Sequence, residues 1–253
     1  MFFKMSKKGR YHREKNLTNQ DFVTGRETDR FIVLSLADGI SACKYARKGA
    51  KIACNTAEEM LLNHGERFFS LDSYDAVHYI LSKIKNEIEK QAKHDIEQYS
   101  CTLICILYDK QTHKIFYFSF GDSLIMAIEK DRCKILAQPF DSRNGIPSIT
   151  SRFAENIAHA GVTDANFESL MLCSDGAWNL MYKRGSIDTE IKKILINKDF
   201  NALKSFLKEK NGFDDCSFIA VNLSEQEESH NARPKKHQQE KLPSDRRRYN
   251  TYL

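Results

Sequence analysis

Two helical stretches follow one another with no strand between them, and that order limits what the chain can become. Lys44 to Leu62 reads as one helix. Ser73 opens a second, in which Val77, Ile80, Leu81, Ile84 and Ile88 fall on a single face. Both come after FIVLSLA (Phe31–Ala37), an apolar, β-branched run that reads as a buried strand. Strand signals then crowd together. CTLICILYD (Cys101–Asp109) and KIFYFSF (Lys114–Phe120) flank a short polar turn and read as a β-hairpin, and LIMAIE and CKILAQ follow as two shorter strands. A doubly wound parallel sheet alternates strand and helix regularly, and this chain does not. The pattern predicts an α+β protein with helices packed over antiparallel sheets, in the manner of a sandwich.

Further along, Pro139 to Pro147 reads as loop and Ser148 to His159 as a short helix beside it. ESLMLC reads as a strand, Thr189–Ile196 and Phe200–Lys210 as helices, and CSFIAVNL (Cys216–Leu223) as a last strand. After Ser224 the composition shifts to Glu, Gln, Lys, Arg and Pro, which predicts a folded domain over residues 1–223 and a basic, disordered tail over 224–253. No apolar stretch approaches the roughly 18 residues of a membrane span. No apolar run of signal-peptide length follows the basic start MFFKMSKKGR. These features predict a soluble, cytoplasmic protein that does not engage a membrane. The seven cysteines are odd in number and form no C-x-x-C, so they read as reduced thiols, not as a disulfide frame or a zinc site.

The formal charge of +5 conceals an uneven distribution. Residues 1–15 carry six Lys/Arg and one Glu, the stretch from Asn231 onward carries seven Lys/Arg and two acids, and the remainder holds 26 Lys/Arg against 31 Asp/Glu. The body is therefore acidic and the ends basic. A basic tail can touch nucleic acid. However, no aromatic-interleaved basic platform and no helix-turn-helix pattern supports a nucleic-acid function.

Within the acidic body, carboxylates recur at the ends of apolar strands beside small residues. Asp38 follows FIVLSLA in A-D-G, Asp122 follows KIFYFSF in G-D-S, and Asp175 follows ESLMLC in S-D-G. Asp214 and Asp215 precede CSFIAVNL, and Asp21 sits in NQDF shortly before the first strand. Singly, each is ordinary turn chemistry. Gathered in one cleft, such acids repel one another unless cations neutralise them. Oxygen-only ligands point to Mg²⁺ or Mn²⁺.

The order of these motifs resembles the metal-dependent protein phosphatases of the PP2C (PPM) family. The elements are LADGIS, SCTLICILY…FSFGDS, LMLCSDGAWNLM and FDDCSFIAV, preceded by GRYHREKNLTNQDF, which is similar to the G-x-x-H…N-Q-D opening of a bacterial branch. The resemblance covers roughly residues 9–223. It implies an α-β-β-α sandwich of two antiparallel sheets flanked by helices, with two divalent ions in a cleft at one end. By the same resemblance, Asp38 bridges the two ions, the Gly39 carbonyl binds one, and Asp175 and Asp214 hold the other. Asp21 orients water nearby, and Asp122 sits at the cleft edge, where some bacterial members bind a third ion.

The implied activity is hydrolysis of phosphoserine and phosphothreonine in a phosphorylated protein, with a cognate Ser/Thr kinase as a further partner. In that chemistry two ions roughly 4 Å apart turn a bridging water into a nucleophile. The family's phosphate-binding Arg has no clear counterpart; His12, Arg13 and Arg10 are candidates, and His12, which fits the H…N-Q-D spacing, is preferred, to bind phosphate as imidazolium or protonate the leaving group. The chain departs from the family at Gln20, where many members have Glu, and at Leu124, where many have Arg. It also has Asp38-Gly39-Ile40-Ser41-Ala42 in place of a glycine-rich D-G-x-G-G. These departures motivate the alternative of a PP2C-like sensor that binds a kinase or phosphoprotein with little turnover. Trp178, Leu180 and Met181 read as a helix face packed on the sheet.

Overall fold

The computed structural model describes residues 1–140, 149–151, 153–183 and 185–223. The expected loop over Pro139–Pro147 lies largely outside those residues, and the tail over 224–253 lies wholly outside them. Two five-stranded antiparallel sheets lie face to face. The first has the order β1 (Phe2–Lys7), β12 (Cys216–Asn222), β9 (Ser169–Cys173), β6 (Leu124–Ile128), β7 (Cys133–Ala137). The second has the order β2 (Phe22–Glu27), β3 (Phe31–Ala37), β4 (Leu103–Asp109), β5 (Lys114–Phe120), β8 (His159–Asp164). A small hairpin, β10 (Tyr182–Lys183) with β11 (Ser186–Ile187), stands apart from both.

β3 and β4 are buried along their whole length because both of their faces are covered. In β3, Phe31, Val33 and Ala37 point to one side, while Ile32, Leu34 and Leu36 point to the other. In β4 the same alternation sends Leu103, Cys105 and Leu107 one way and Ile104, Ile106 and Tyr108 the other. This is the period of two that a strand imposes on its side chains. The inward set meets Ile125, Leu170, Leu172, Ile219 and Val221 of the opposite sheet. The outward set is covered by α2 (Ala46–Asn63) and α4 (Ser73–Gln91). Across the molecule, α5 (Asp175–Met181), α6 (Thr189–Ile196) and α7 (Phe200–Glu209) cover the outer face of the first sheet. The architecture is the expected α-β-β-α sandwich.

The two long helices form where the apolar spacing placed them. Val77, Ile80, Leu81, Ile84 and Ile88 of α4 are all buried, and Asp72 caps the helix by accepting from the Asp75 N–H at 2.8 Å. Two short helices complete the set, α1 (Arg10–Glu14) and α3 (Gly65–Phe68). Of the helix expected over Ser148 to His159, the described residues keep a 3₁₀ turn at Ala154–Asn156, and His159 opens β8 instead. Edge pairing to β5 claims that residue. All seven cysteines are free thiols. Among the described residues no helix is long and apolar enough to cross a membrane.

Candidate active site

The chain passes from one sheet to the other at the turn between β5 and β6, and the acids gather there. Gly121 makes the turn with φ +105°, and a side chain on it would lie 2.5 Å from Thr102 Cγ2. Only glycine meets both demands. Beside this turn opens a cleft of about 200 Å³ lined by Asp38, Gly39, Ser41, Asp122, Asp175 and Asp214, with Ile40 and Thr102 completing the wall. Five of the seven candidate residues, Asp38, Gly39, Asp122, Asp175 and Asp214, therefore share one cavity. Among the described residues no Lys or Arg lines it.

Asp38 leaves the end of β3 and is held by its backbone. Its N–H donates to Thr102 Oγ1 at 2.9 Å, and its carbonyl accepts from the Thr102 N–H at 2.7 Å. Asp175 is the first residue of α5, and its Oδ1 accepts from the Gly176 N–H at 2.5 Å. The glycine of S-D-G serves packing: a Cβ on Gly176 would lie 2.0 Å from the Asp215 carbonyl oxygen. Asp214 Oδ1 accepts from the Asp215 N–H at 2.8 Å. The carbonyl of Asp122 accepts from Trp178 Nε1 at 2.8 Å, so the α5 helix is tied to the turn between the sheets.

Asp21 lies beneath the cleft floor, fully buried just before β2. Its Oδ2 accepts from Ser174 Oγ at 3.0 Å, and its Oδ1 is buried without a hydrogen-bond partner. Burial pushes its carboxyl up to about 7, with the charge of Asp215 adding to the shift. Burial likewise raises Asp175 to about 6, reinforced by the charges of Asp122 and Asp214. Asp38 rises well above the usual carboxylate range, through burial first and then the charges of Asp21, Asp175 and Asp214. The neighbouring charges of Asp21 and Asp175 are thus part of what raises Asp38. Carboxyls crowded and buried in this way hold on to protons unless a cation takes their place. Among the described residues no three acidic, His or Cys side chains already converge as a closed ligand set.

His12 does not line the cleft. It sits on α1, 1% exposed, behind Ser41, with Nε2 3.3 Å from Ser41 Oγ. Its Nδ1 lies 2.8 Å from Asp215 Oδ2, at an angle that makes the contact an ion-pair approach instead of a linear hydrogen bond. Asp215, which the sequence places at a strand end without a role, is a hub. Fully buried, it also accepts from the Gly9 N–H at 2.7 Å and the Gln20 N–H at 2.6 Å, so one carboxylate anchors both ends of the N-terminal segment. Thr102 and Ser174 were missed for the same reason: their partners lie 64 and 153 residues away in the chain. Cys173, one residue from Ser174, is buried and its thiol is pushed up by burial, which leaves it inert as a nucleophile.

The sequence profile of the family described as protein phosphatase 2C matches residues 8–208. The chain belongs to that family. Solved structures share its fold. The catalytic domain of the serine/threonine protein phosphatase PstP, in complex with two manganese ions, superposes with TM-score 0.65 at 15% identity, over 88% of this chain and 97% of that one. The serine/threonine phosphatase Stp1 from Staphylococcus aureus gives 0.63 at 16% identity, over 88% and 94%. RsbX in complex with magnesium gives 0.56 at 13%, over 87% and 92%. At these identities the likeness is one of fold. No curated protein matches the sequence closely enough to count as a relative.

Proposed function

We propose that this PP2C-family protein is a Mg²⁺- or Mn²⁺-dependent phosphatase that hydrolyses phosphoserine and phosphothreonine in a protein substrate. One observation carries the reading: four carboxylates line a cleft of about 200 Å³ that, among the described residues, no Lys or Arg lines. A phosphomonoester dianion cannot enter such a site unless bound cations reverse its charge. The donor set fits a hard divalent ion, since every candidate ligand atom is oxygen. The raised carboxyls and the unpaired Oδ1 of Asp21 are what a site for a missing positive charge presents.

In this reading Asp38, Asp175, Asp214 and the Gly39 carbonyl hold two ions, and Asp122 offers a position for a third at the cleft edge. When bound, the ions draw in phosphoryl oxygens and make a water nucleophilic near neutral pH. Thr102 fixes the backbone of Asp38, so its carboxylate is aimed before substrate arrives. Asp21, titrating near neutrality, holds or releases a proton directly below Asp38. His12 acts from behind the wall: with Asp215 on one side and Ser41 on the other, it orders the cleft margin without reaching into it. The phosphate contact that the resemblance implies for His12 thus becomes a positioning role. The metals carried by the PstP and RsbX structures support the cation choice.

Hydrolysis of a phosphothreonine peptide with Mn²⁺, then with EDTA, tests the proposal. Turnover that EDTA abolishes and that Asp175→Asn loses is expected. Equal turnover in EDTA would refute the metal requirement. Mn²⁺ binding with no turnover on any phosphopeptide would favour the sensor alternative, which the departures at Gln20, Ile40 and Leu124 motivate.

A further inference from the structure

On the far side of Asp122 from the acidic cleft lies a second hollow of about 320 Å³. Its walls are Leu124, Ile135, Pro139, Phe140, Trp178 and Tyr182, with Gln138 the one neutral polar side chain among them, and Asp122 is the partition it shares with the cleft. Leu124 is buried, while Ile135, Phe140, Trp178 and Tyr182 are each partly exposed toward solvent. The hollow is built into the fold. Trp178 Nε1 is fastened to the Asp122 carbonyl at 2.8 Å, and its ring meets Tyr182 edge-on, with centroids 5.7 Å apart and planes at 80°. The Phe140 N–H donates to the Gly121 carbonyl at 2.9 Å, which holds the strand exit after β7 against the turn that carries Asp122.

We propose that this hollow binds an apolar side chain of the phosphoprotein substrate, aromatic or branched aliphatic, close in sequence to the phosphorylated residue. The inference rests on the phosphatase reading of the neighbouring cleft. Continuity argues for it. A single residue separates the two cavities, and an extended peptide advances about 3.3 Å per residue, so a substrate seated with its phosphate in the cleft brings a side chain within three positions over the hollow. Chemistry argues for it as well. The acidic cleft selects charge and cannot discriminate among flanking sequences, whereas partly exposed apolar walls gain by excluding water. Size agrees, since a cavity of roughly 150 Å³ already accepts a benzene ring. The T-shaped Trp178–Tyr182 pair leaves ring faces on which a third apolar group can pack.

The test uses the full chain with Mn²⁺ and a set of phosphothreonine peptides that are otherwise all alanine. A single Leu or Phe is walked from three residues before the phosphothreonine to three after it. The proposal predicts kcat/KM about tenfold higher at one or two positions than for the all-alanine peptide. It predicts that Ile135→Asn and, separately, Tyr182→Ser remove that gain while leaving all-alanine turnover unchanged. Trp178 is the only tryptophan of the chain, so its emission reports the hollow directly. The preferred peptide should shift it, and the all-alanine peptide should not. Turnover of every peptide at one rate, with unchanged emission, would overturn the inference and leave the phosphatase reading standing. Turnover of none, the all-alanine peptide included, would sink the phosphatase reading and the inference with it.

Discussion

Replacing Asp21 by Asn should stabilise the metal-free protein while weakening its chemistry. Asp21 is fully buried, and burial lifts its carboxyl from 3.8 to about 7. Because the folded-state pKa lies above the unfolded one, the native protein keeps a proton that the unfolded chain has released between about pH 4 and 7. Stability therefore falls as pH rises across that window. A shift of about three units corresponds to about 4 kcal/mol at neutral pH and above. Asparagine removes this penalty and keeps an acceptor for Ser174 Oγ. It also brings two N–H donors beside Asp38, and that mismatch offsets about half of the gain. A net of about 2 kcal/mol amounts to a melting rise of ~4–8 °C for a domain of this size. Thermal unfolding in EDTA at pH 5.0 and 7.5 reads it. The parent should melt lower at pH 7.5 than at pH 5.0, and the variant should recover most of the loss while its Mn²⁺-dependent turnover drops. If the variant melts below the parent at pH 7.5, the carboxyl is not paying a burial cost and the reasoning fails.

Thr102→Val should cost about 1–2 kcal/mol, because it leaves the buried N–H of Asp38 without the Oγ1 it donates to. A thermal melt checks the stability, and Mn²⁺ titration should show affinity weakened at the same time. Asp215→Ala should be harsher, about 3–5 kcal/mol. It strands the Gly9 and Gln20 N–H groups and removes the charge beside His12. A urea midpoint lowered by less than the equivalent of about 1 kcal/mol would contradict the hub role. Gly176→Ala should cost about 2 kcal/mol or more through overpacking, since its Cβ would sit 2.0 Å from the Asp215 carbonyl oxygen. Soluble, normally melting Gly176→Ala protein would mean that the approach of α5 to Asp215 is not required.

The parts of the fold that sequence reasoning reached share a physical property. β3, β4, β5, β6, β9 and β12 are apolar runs because central strands are covered on both faces, and their outlines emerge almost residue for residue. The strands of the two large sheets that it passed over, β1, β2 and β8, lie at sheet edges with half-exposed, partly polar sequences such as FVTGRE and HAGVTD. An edge strand takes its identity from a neighbour that supplies the hydrogen bonds, and no local pattern announces that neighbour. The site divides in the same way. The cleft carboxylates were visible because strand ends carry them, and the five residues expected there do share one cavity. Asp215, Thr102 and Ser174 act through pairings across the sandwich, and the burial of His12 follows from α1 folding under Asp215. No local feature of GRYHREKN expresses either.

The most direct test of the central claim is a calorimetric Mn²⁺ titration of the parent and of Asp38→Asn. It is run at pH 6.5 in two buffers of different ionisation enthalpy. Cation binding to acids that hold protons must release them. The account predicts binding by the parent with heats that differ between the two buffers, and binding that Asp38→Asn abolishes or weakens severely. Equal heats in both buffers, or Mn²⁺ binding unchanged in Asp38→Asn, would contradict it.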